Sequence, residues 1–207
     1  MNFTLSFSFM FQDKAWFNKI ALPALCMLIP IVGWLIVLGW ALKITKNVIA
    51  GIEQPLPDLD FGKDLLRGFF ASLIGLIYSL PVSILSSLST WIGNWFYFDN
   101  EVASIFIAFV TASIGLLTFV LGVFSSFLTL AAIANYVAKD DFGAAFRFSD
   151  VFASLKKKIG DWLIVAVGML LALGIIAPLG TIACIIGVVI TLTYGLAVSG
   201  HLLGQAY

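Results

Sequence analysis

Apolar side chains dominate the stretches at about 16–50, 66–93, 102–137, 160–177 and 181–204 of this 207-residue chain. Runs of that length with few charges match what an α-helix needs to cross about 30 Å of hydrocarbon. Two polar connections separate them, at 51–65 and 139–161. The first residues follow another rhythm. Phe3, Leu5, Phe7, Phe9 and Phe11 alternate with Thr4, Ser6, Ser8 and Met10, a period of two that predicts either a strand pairing with another chain or an interfacial arm. No basic segment precedes the apolar stretch, so no cleavable signal peptide is expected.

The first long stretch reads as one helix over 20–42, or as a hairpin broken at Pro30 and Gly33 with arms 16–29 and 31–50. The distribution of positive charge selects the hairpin. It puts Lys14, Lys19, Lys43, Lys46, Lys63, Arg67, Lys139, Arg147, Lys156, Lys157 and Lys158 on one side, whereas a single crossing strands Lys14 and Lys19 on the other. An arm of 14 residues is only about 21 Å long, short enough to be re-entrant. Trp16 and Trp162 are then expected at the inner interface, with Trp34, Trp91, Trp95 and Tyr97 at the outer one. Ser149 is positioned to cap an amphipathic helix that turns Val151, Phe152 and Leu155 to lipid and Lys156, Lys157 and Lys158 to headgroups.

The expected fold is therefore all-α: a single polytopic membrane bundle over 1–207, with about six membrane helices in three hairpins and short interfacial amphipathic helices. Its parts are an interfacial arm (1–15), a first hairpin (16–50), a cytoplasmic loop (51–65), a long middle hairpin (66–137), a second cytoplasmic loop (138–159) and a last hairpin (160–207). Both termini are expected to be cytoplasmic. Trp16, Pro30, Gly33 and Gly39 find echoes in Trp162, Pro178, Gly180 and Gly187, and Asn47-x-x-Ala50 in Asn135-x-x-Ala138. A common hairpin plan and convergent helix-end chemistry both account for these echoes.

Small residues supply the packing code. Ser104, Ala108, Thr111, Gly115, Thr118, Gly122, Ser125, Thr129 and Ala132 recur at steps of three and four. Ser72, Gly75, Ser79, Val82, Ser86, Ser89 and Gly93 do the same in the preceding helix. Between helices in lipid, close backbone approach must replace the hydrophobic drive, and a heptad of small residues predicts a long left-handed seam. A hydroxyl-lined polar path is the functional alternative. In the last helix Ala183, Gly187, Thr191, Gly195 and Ser199 recur every four residues, the spacing of right-handed small-xxx-small crossings. Pro81 should kink its helix. The stretch 102–137 should be one uninterrupted helix.

Composition agrees: 61% of residues are hydrophobic and 11% charged, with mean hydropathy +1.09, where a soluble domain carries roughly 25% charged residues. Zero net charge argues against a nucleic-acid partner. Cys26 and Cys184 lie in apolar runs and read as small packing residues. The central parts of the apolar stretches hold no ionisable residue, and no phosphate loop, nucleophile elbow or zinc-protease motif occurs. No catalytic residue, metal or cofactor is expected. Asp58, Asp60, Asp64, Asp140 and Asp141 read as helix caps and solvated loop charges, with a divalent-cation site as the alternative.

Phe9-Met-Phe-Gln-Asp-Lys-Ala-Trp16, Ile29-Pro-Ile-Val-Gly33, Pro55-Leu-Pro-Asp58 ahead of Phe61-Gly62, Asp141-Phe-Gly-Ala-Ala-Phe146 and His201-Leu-Leu-Gly-Gln205 together resemble the blocks of domain of unknown function 4013. That family consists of small prokaryotic multi-pass membrane proteins. The resemblance implies the inner (plasma) membrane and brings no activity. A non-enzymatic structural or assembly component is expected, packed in the bilayer as a homo-oligomer or as a subunit of a larger complex. A small-solute or ion transporter or channel is the alternative. Pro55, Pro57, Asp58, Asp140, Asp141, Phe142, His201 and Gln205 form the candidate cytoplasmic docking face. An enzyme would need a pocket joining His201 to several loop carboxylates.

Overall fold

The computed structural model describes residues 1–95 and 101–207; Tyr97, expected in the outer aromatic belt, lies outside them. The described residues are helical and form no strand. Their α-helices are α1 (Phe3–Ser8), α2 (Trp16–Cys26), α3 (Val32–Ile49), α4 (Phe61–Trp95), α5 (Glu101–Lys139), α6 (Phe148–Lys157), α7 (Ile159–Met169), α8 (Ala177–Leu179) and α9 (Cys184–Ala206). Val32–Ile49, Phe61–Trp95, Glu101–Lys139 and Ile159–Ala206 are long and apolar enough to cross a membrane, as in a membrane protein. The chain divides into two compact units, one of Met1–Ile74 with Leu130–Tyr207, the other Gly75–Thr129.

In the larger unit, α3 is the hub, and glycines set how closely its neighbours approach. A Cβ added at Gly39 would overlap the Asp64 carbonyl of α4, and one at Gly68 the Leu35 carbonyl of α3. On another side of α3, a Cβ at Gly200 of α9 would overlap the Ala41 carbonyl, and one at Gly204 would come 2.8 Å from the Thr45 carbonyl oxygen. Thr45 Oγ1 donates to the Gly200 carbonyl at 2.8 Å. Trp40 is fully buried, and its Nε1–H donates to the Pro57 carbonyl at 3.0 Å.

The apolar run Ile159–Ala206 turns back on itself. After α7 the backbone opens into a π-helical stretch, Leu170–Ile176. Pro178 follows, which lacks an N–H and crowds the carbonyl four residues back, so a widened turn ahead of it relieves both defects. Gly180–Ala183 form a 3₁₀ turn, and Cys184 has φ 55°. Beyond it, Thr191 Oγ1 donates to the Ala177 carbonyl at 2.7 Å. A Cβ at Gly195 would come 3.0 Å from the Ala172 carbonyl oxygen, and one at Gly187 would overlap the Gly180 carbonyl. The four-residue row of α9 thus faces the arm that precedes it. The row Gly200-x-x-x-Gly204, which continues onto α3, was not singled out in the sequence.

The break between α2 and α3 falls where Pro30 and Gly33 predict it. Ile31 takes φ 64°, and a Cβ at Gly33 would overlap the Cys26 carbonyl. The first arm is shorter than 16–29: α2 has 11 residues, about 16 Å. Lys19 Nζ, held at 2.8 Å by Asp13, also donates to the Leu56 carbonyl at 3.0 Å. Residue 19 and the loop after α3 therefore lie together.

Three local expectations are corrected. Residues 3–12 are helical, α1 followed by a 3₁₀ turn (Phe9–Gln12), not a strand. Asn2 Oδ1 caps α1 by accepting from the Leu5 N–H at 3.1 Å, and the segment buries Ser6, Phe9 and Met10. Ser149 does not cap α6, which starts one residue earlier; Val151 is fully buried instead of facing lipid, while Lys156 and Lys157 are exposed. Trp162, expected at the interface, is also fully buried, with Nε1–H donating to the Ser154 carbonyl at 3.3 Å.

The smaller unit is a pair of helical segments from α4 and α5. Ser125 Oγ donates to the Tyr78 carbonyl at 2.6 Å, and Ser89 Oγ to the Thr111 carbonyl at 3.4 Å. A Cβ at Gly75 would come 3.9 Å from Thr129 Cγ2, and one at Gly122 would come 3.7 Å from Val82 Cγ1. Val82, the one large residue of its row, fills the gap that Gly122 leaves. Of the row expected to form a seam, Gly75, Val82, Ser89, Thr111, Thr118, Gly122, Ser125 and Thr129 are half-buried within this unit. Ser79, Ser86, Ser104, Ala108 and Gly115 are exposed, and Ala103, Ile107 and Ile114 take the inward places on α5. The inward residues of α5 recur about every 3.7 positions, close to an undistorted helix and not the 3.5 of a left-handed supercoil. Drifting about 20° per heptad, a straight helix turns roughly 60° over three heptads and carries Ser104 out of the contact. α5 is unbroken as predicted, and α4 continues through Pro81, where a kink was expected, as one helix.

Candidate functional site

Polar chemistry in the larger unit gathers where α1 crosses the end of α9. Gln205 receives the Asn2 backbone N–H on Oε1 at 2.6 Å, and its Nε2 donates to Asn2 O at 3.2 Å and Ser6 Oγ at 3.1 Å. His201 Nδ1 lies 2.9 Å from Ser6 Oγ and 3.0 Å from Gln205 Nε2. The Phe9 ring stacks on the imidazole, with centroids 4.3 Å apart and planes at 23°. Tyr194 OH donates to the Phe7 carbonyl at 2.8 Å. Beside this cluster lies a cavity of about 280 Å³ that His201, Gln205, Asn2, Gln12, Glu53 and Pro55 help to line.

The eight candidate docking residues do not form one exposed face. Pro55, Pro57 and His201 are buried, and Gln205 is half-buried and bonded to α1. Backbone hydrogen-bonding needs pull the loop inward: Asn47 Nδ2 donates to the Pro55 carbonyl at 2.9 Å and Lys43 Nζ to the Asp58 carbonyl at 2.9 Å. A partner cannot reach buried prolines without unfolding the loop. Asp58 and Asp140 are exposed; Asp141 and Phe142 are half-buried. Phe142 packs near the Phe70 ring, centroids 5.3 Å apart.

The loop carboxylates have structural work. Asp60 accepts from the Lys63 N–H at 3.3 Å and Asp64 from the Asp60 N–H at 2.8 Å, a reciprocal cap on α4. Asp64, fully buried, also pairs with Arg67 at 2.8 Å. Asp140 pairs with Lys46, and Asp141 accepts from the Gly143 N–H at 3.0 Å and from Arg147 at 3.0 Å. Lys63 N–H and ammonium hold the Asp60 carboxyl below its ordinary value, and Lys139 does so for Asp150. At Asp13 the Lys19 hydrogen bond, then the Ala15 N–H, has the same effect. Among the described residues no three His, Cys, Asp or Glu side chains converge to hold a metal ion.

The cavity beside His201 is lined by one carboxylate, Glu53. Two further cavities are mainly apolar. One of about 270 Å³ lies between α2 and α9, near Trp16, Phe17 and Ile190; another of about 670 Å³ lies at Met27, Trp34, Thr181 and Leu192.

Residues 22–198 match the family model described as "Protein of unknown function (DUF4013)". The chain belongs to this family. No curated protein and no solved structure matches it. The matched stretch contains the Pro30–Gly33 turn, the Pro55–Asp58 loop and the Asp141–Phe146 segment. The α1 arm and the His201–Gln205 end, which form the polar cluster, flank it. The sequence alone did not show that these flanks meet, because no local pattern links positions about 200 residues apart.

Proposed function

We propose that the chain is a multi-pass membrane protein of three hairpins and a non-enzymatic assembly component. In this reading its α2 is a re-entrant half-helix, its Lys- and Arg-bearing end faces the cytoplasm of a prokaryote, and its Gly75–Thr129 helix pair docks with copies of itself or with a partner complex. The observation that carries the reading is the exposure of that pair. Once their shared seam is formed, Phe106, Phe109 and Phe119 remain 66%, 70% and 69% exposed. Exposed aromatic rings of this density mark surfaces that bury themselves against protein or lipid. A transport reading would be favoured by a polar path between the helices, whereas the cavity between α2 and α9 is lined by apolar side chains.

The test is mass measurement of the 22.4 kDa chain extracted in mild detergent. A defined multiple of that mass, or a complex with a co-purifying partner, is expected. Phe109→Ala with Phe119→Ala should dissociate it without lowering the thermal stability of the chain. A wild-type chain that runs as a lone monomer in every mild detergent and in nanodiscs would sink the assembly reading.

A further inference from the structure

The helix α6 is tied to the larger unit on one face and leaves the other outside. Val151 is fully buried, and the Ser154 carbonyl accepts from Trp162 Nε1–H at 3.3 Å. Residues four apart share a helix face. One such row, Phe148, Phe152 and Lys156, is exposed throughout, the two rings at 56% and 37%. Phe148 thus takes the place expected for Val151 on the outward apolar edge. The carboxylates of this region are neutralised, Asp141 by Arg147 and Asp150 by Lys139. Lys158 turns to the Tyr207 carbonyl, to which it donates at 3.2 Å. The ammonium groups of Lys156 and Lys157 are exposed and have no partner among the described residues. Asp161, the next carboxylate along the chain, pairs with neither, and two lysines against one acid leave this stretch positive.

Position along the chain says what lies beside this face. The helix breaks at Lys158, with φ −136° and ψ 41°. The apolar run Ile159–Ala206, long enough to cross a membrane, begins at the next residue. On the membrane reading proposed above, on which this inference rests, Lys156 and Lys157 stand within a turn of the hydrocarbon edge, at the depth of the headgroups. A helix that exposes aromatic rings beside lysines lies in that plane, and acidic lipids attract basic residues next to a span. We propose that the outward face of α6 is a docking surface for acidic phospholipids of the surrounding bilayer. Phe148 and Phe152 reach the acyl chains, and Lys156 and Lys157 hold headgroup phosphates.

Native mass spectrometry in mild detergent resolves individual lipids bound to the chain. The first phosphatidylglycerol should bind more tightly than the first phosphatidylcholine. Lys156→Gln with Lys157→Gln should weaken that phosphatidylglycerol roughly thirtyfold, about fivefold for each lysine beside a charged surface, with thermal unfolding unchanged. Lys14→Gln with Lys63→Gln removes the same charge from other exposed positions and should leave the affinity as it was. Equal loss in the two pairs would mean diffuse surface charge and would overturn the proposal. So would displacement of the lipid by inorganic phosphate where chloride of equal ionic strength displaces none, the mark of a soluble-anion site. In nanodiscs, a nitroxide at Phe152→Cys, with Cys26→Ala and Cys184→Ala, should be relaxed more by oxygen than by a water-soluble nickel chelate. Stronger relaxation by nickel would place the ring in water and refute the docking face. A chain that does not enter nanodiscs ends the membrane reading and this proposal with it; one that enters and holds both lipids equally ends this proposal alone.

Discussion

Glycines at helix crossings and glycines facing open space look identical in a sequence, and their substitutions should behave oppositely. Gly39, Gly68 and Gly200 each lie where an added Cβ would overlap a backbone carbonyl of a neighbouring helix. A methyl group there must force two backbones apart, so Gly200→Ala should cost about 1–3 kcal/mol or more. Gly115, by contrast, has nothing within 4 Å of an added Cβ. Gly115→Leu should stay within about 0.5 kcal/mol of the parent chain, as surface changes do. Thermal unfolding in one detergent checks both, and equal losses would contradict the packing. Asp13 offers a pH test. Its folded carboxyl titrates below its ordinary value, so its pairing contributes stability at neutral pH and loses it as pH falls through about 3.9, the unfolded value, toward the folded one. The stability difference between the parent chain and Asp13→Asn should shrink to nothing on acidification. A difference that persists at low pH would show that the carboxylate charge is not what Asp13 contributes.

Elements were legible where the signal was long and local. The unbroken α5, the reversals at Pro30 with Gly33 and at Pro178 with Gly180, and the polar connections all follow from run length and turn residues. Short elements were not, because tertiary partners decide them. The alternating residues 3–11 favour a strand by period, yet the Asn2 cap and the bonds of Ser6 and Phe7 to α9 hold them helical. The amphipathic pattern of α6 was readable, but not that Val151 points into protein. The seam shows a third limit. A small-residue heptad fixes which helix faces can approach, while the actual twist decides which residues of the row meet. Ser104 and Gly115 fell outside for that reason, and Val82 became the contact for Gly122. Gly122→Leu should therefore press directly on Val82 and cost about 1–3 kcal/mol, and trimming the opposing residue in Gly122→Leu with Val82→Ala should recover part of it. No recovery in the double variant, followed by thermal unfolding, would mean that the two side chains do not share the gap.

Across the larger unit, the polar end is assembled from parts that lie far apart in the chain. Lys19 reaches the Leu56 carbonyl, Lys43 the Asp58 carbonyl, Lys46 pairs with Asp140, and Lys139 with Asp150. Asn2 meets Gln205, and Lys158 donates to the Tyr207 carbonyl at 3.2 Å. These bonds tie residues 2, 19, 56, 140, 158 and 205 into one end. The reversal at Cys184 lies 21 residues before Gln205 along α9, about 30 Å away at the usual rise and close to the thickness of a hydrocarbon core. Asp13 and Lys19 hold the start of α2 beside the loop after α3, and the chain turns at Met27–Ile31 between the two helices; the proposed re-entrant α2 rests on this. If that end faces the cytoplasm, Lys14→Cys and Asp140→Cys should both resist a membrane-impermeant maleimide in intact cells and react after lysis. The exposed natural Cys184 should react from outside, and Cys184→Ala in the two cysteine variants removes its background. Labelling of positions 14 and 140 from opposite sides would break the Lys19–Leu56 proximity and with it the re-entrant α2; labelling of both from outside would keep the fold and invert its orientation in the membrane.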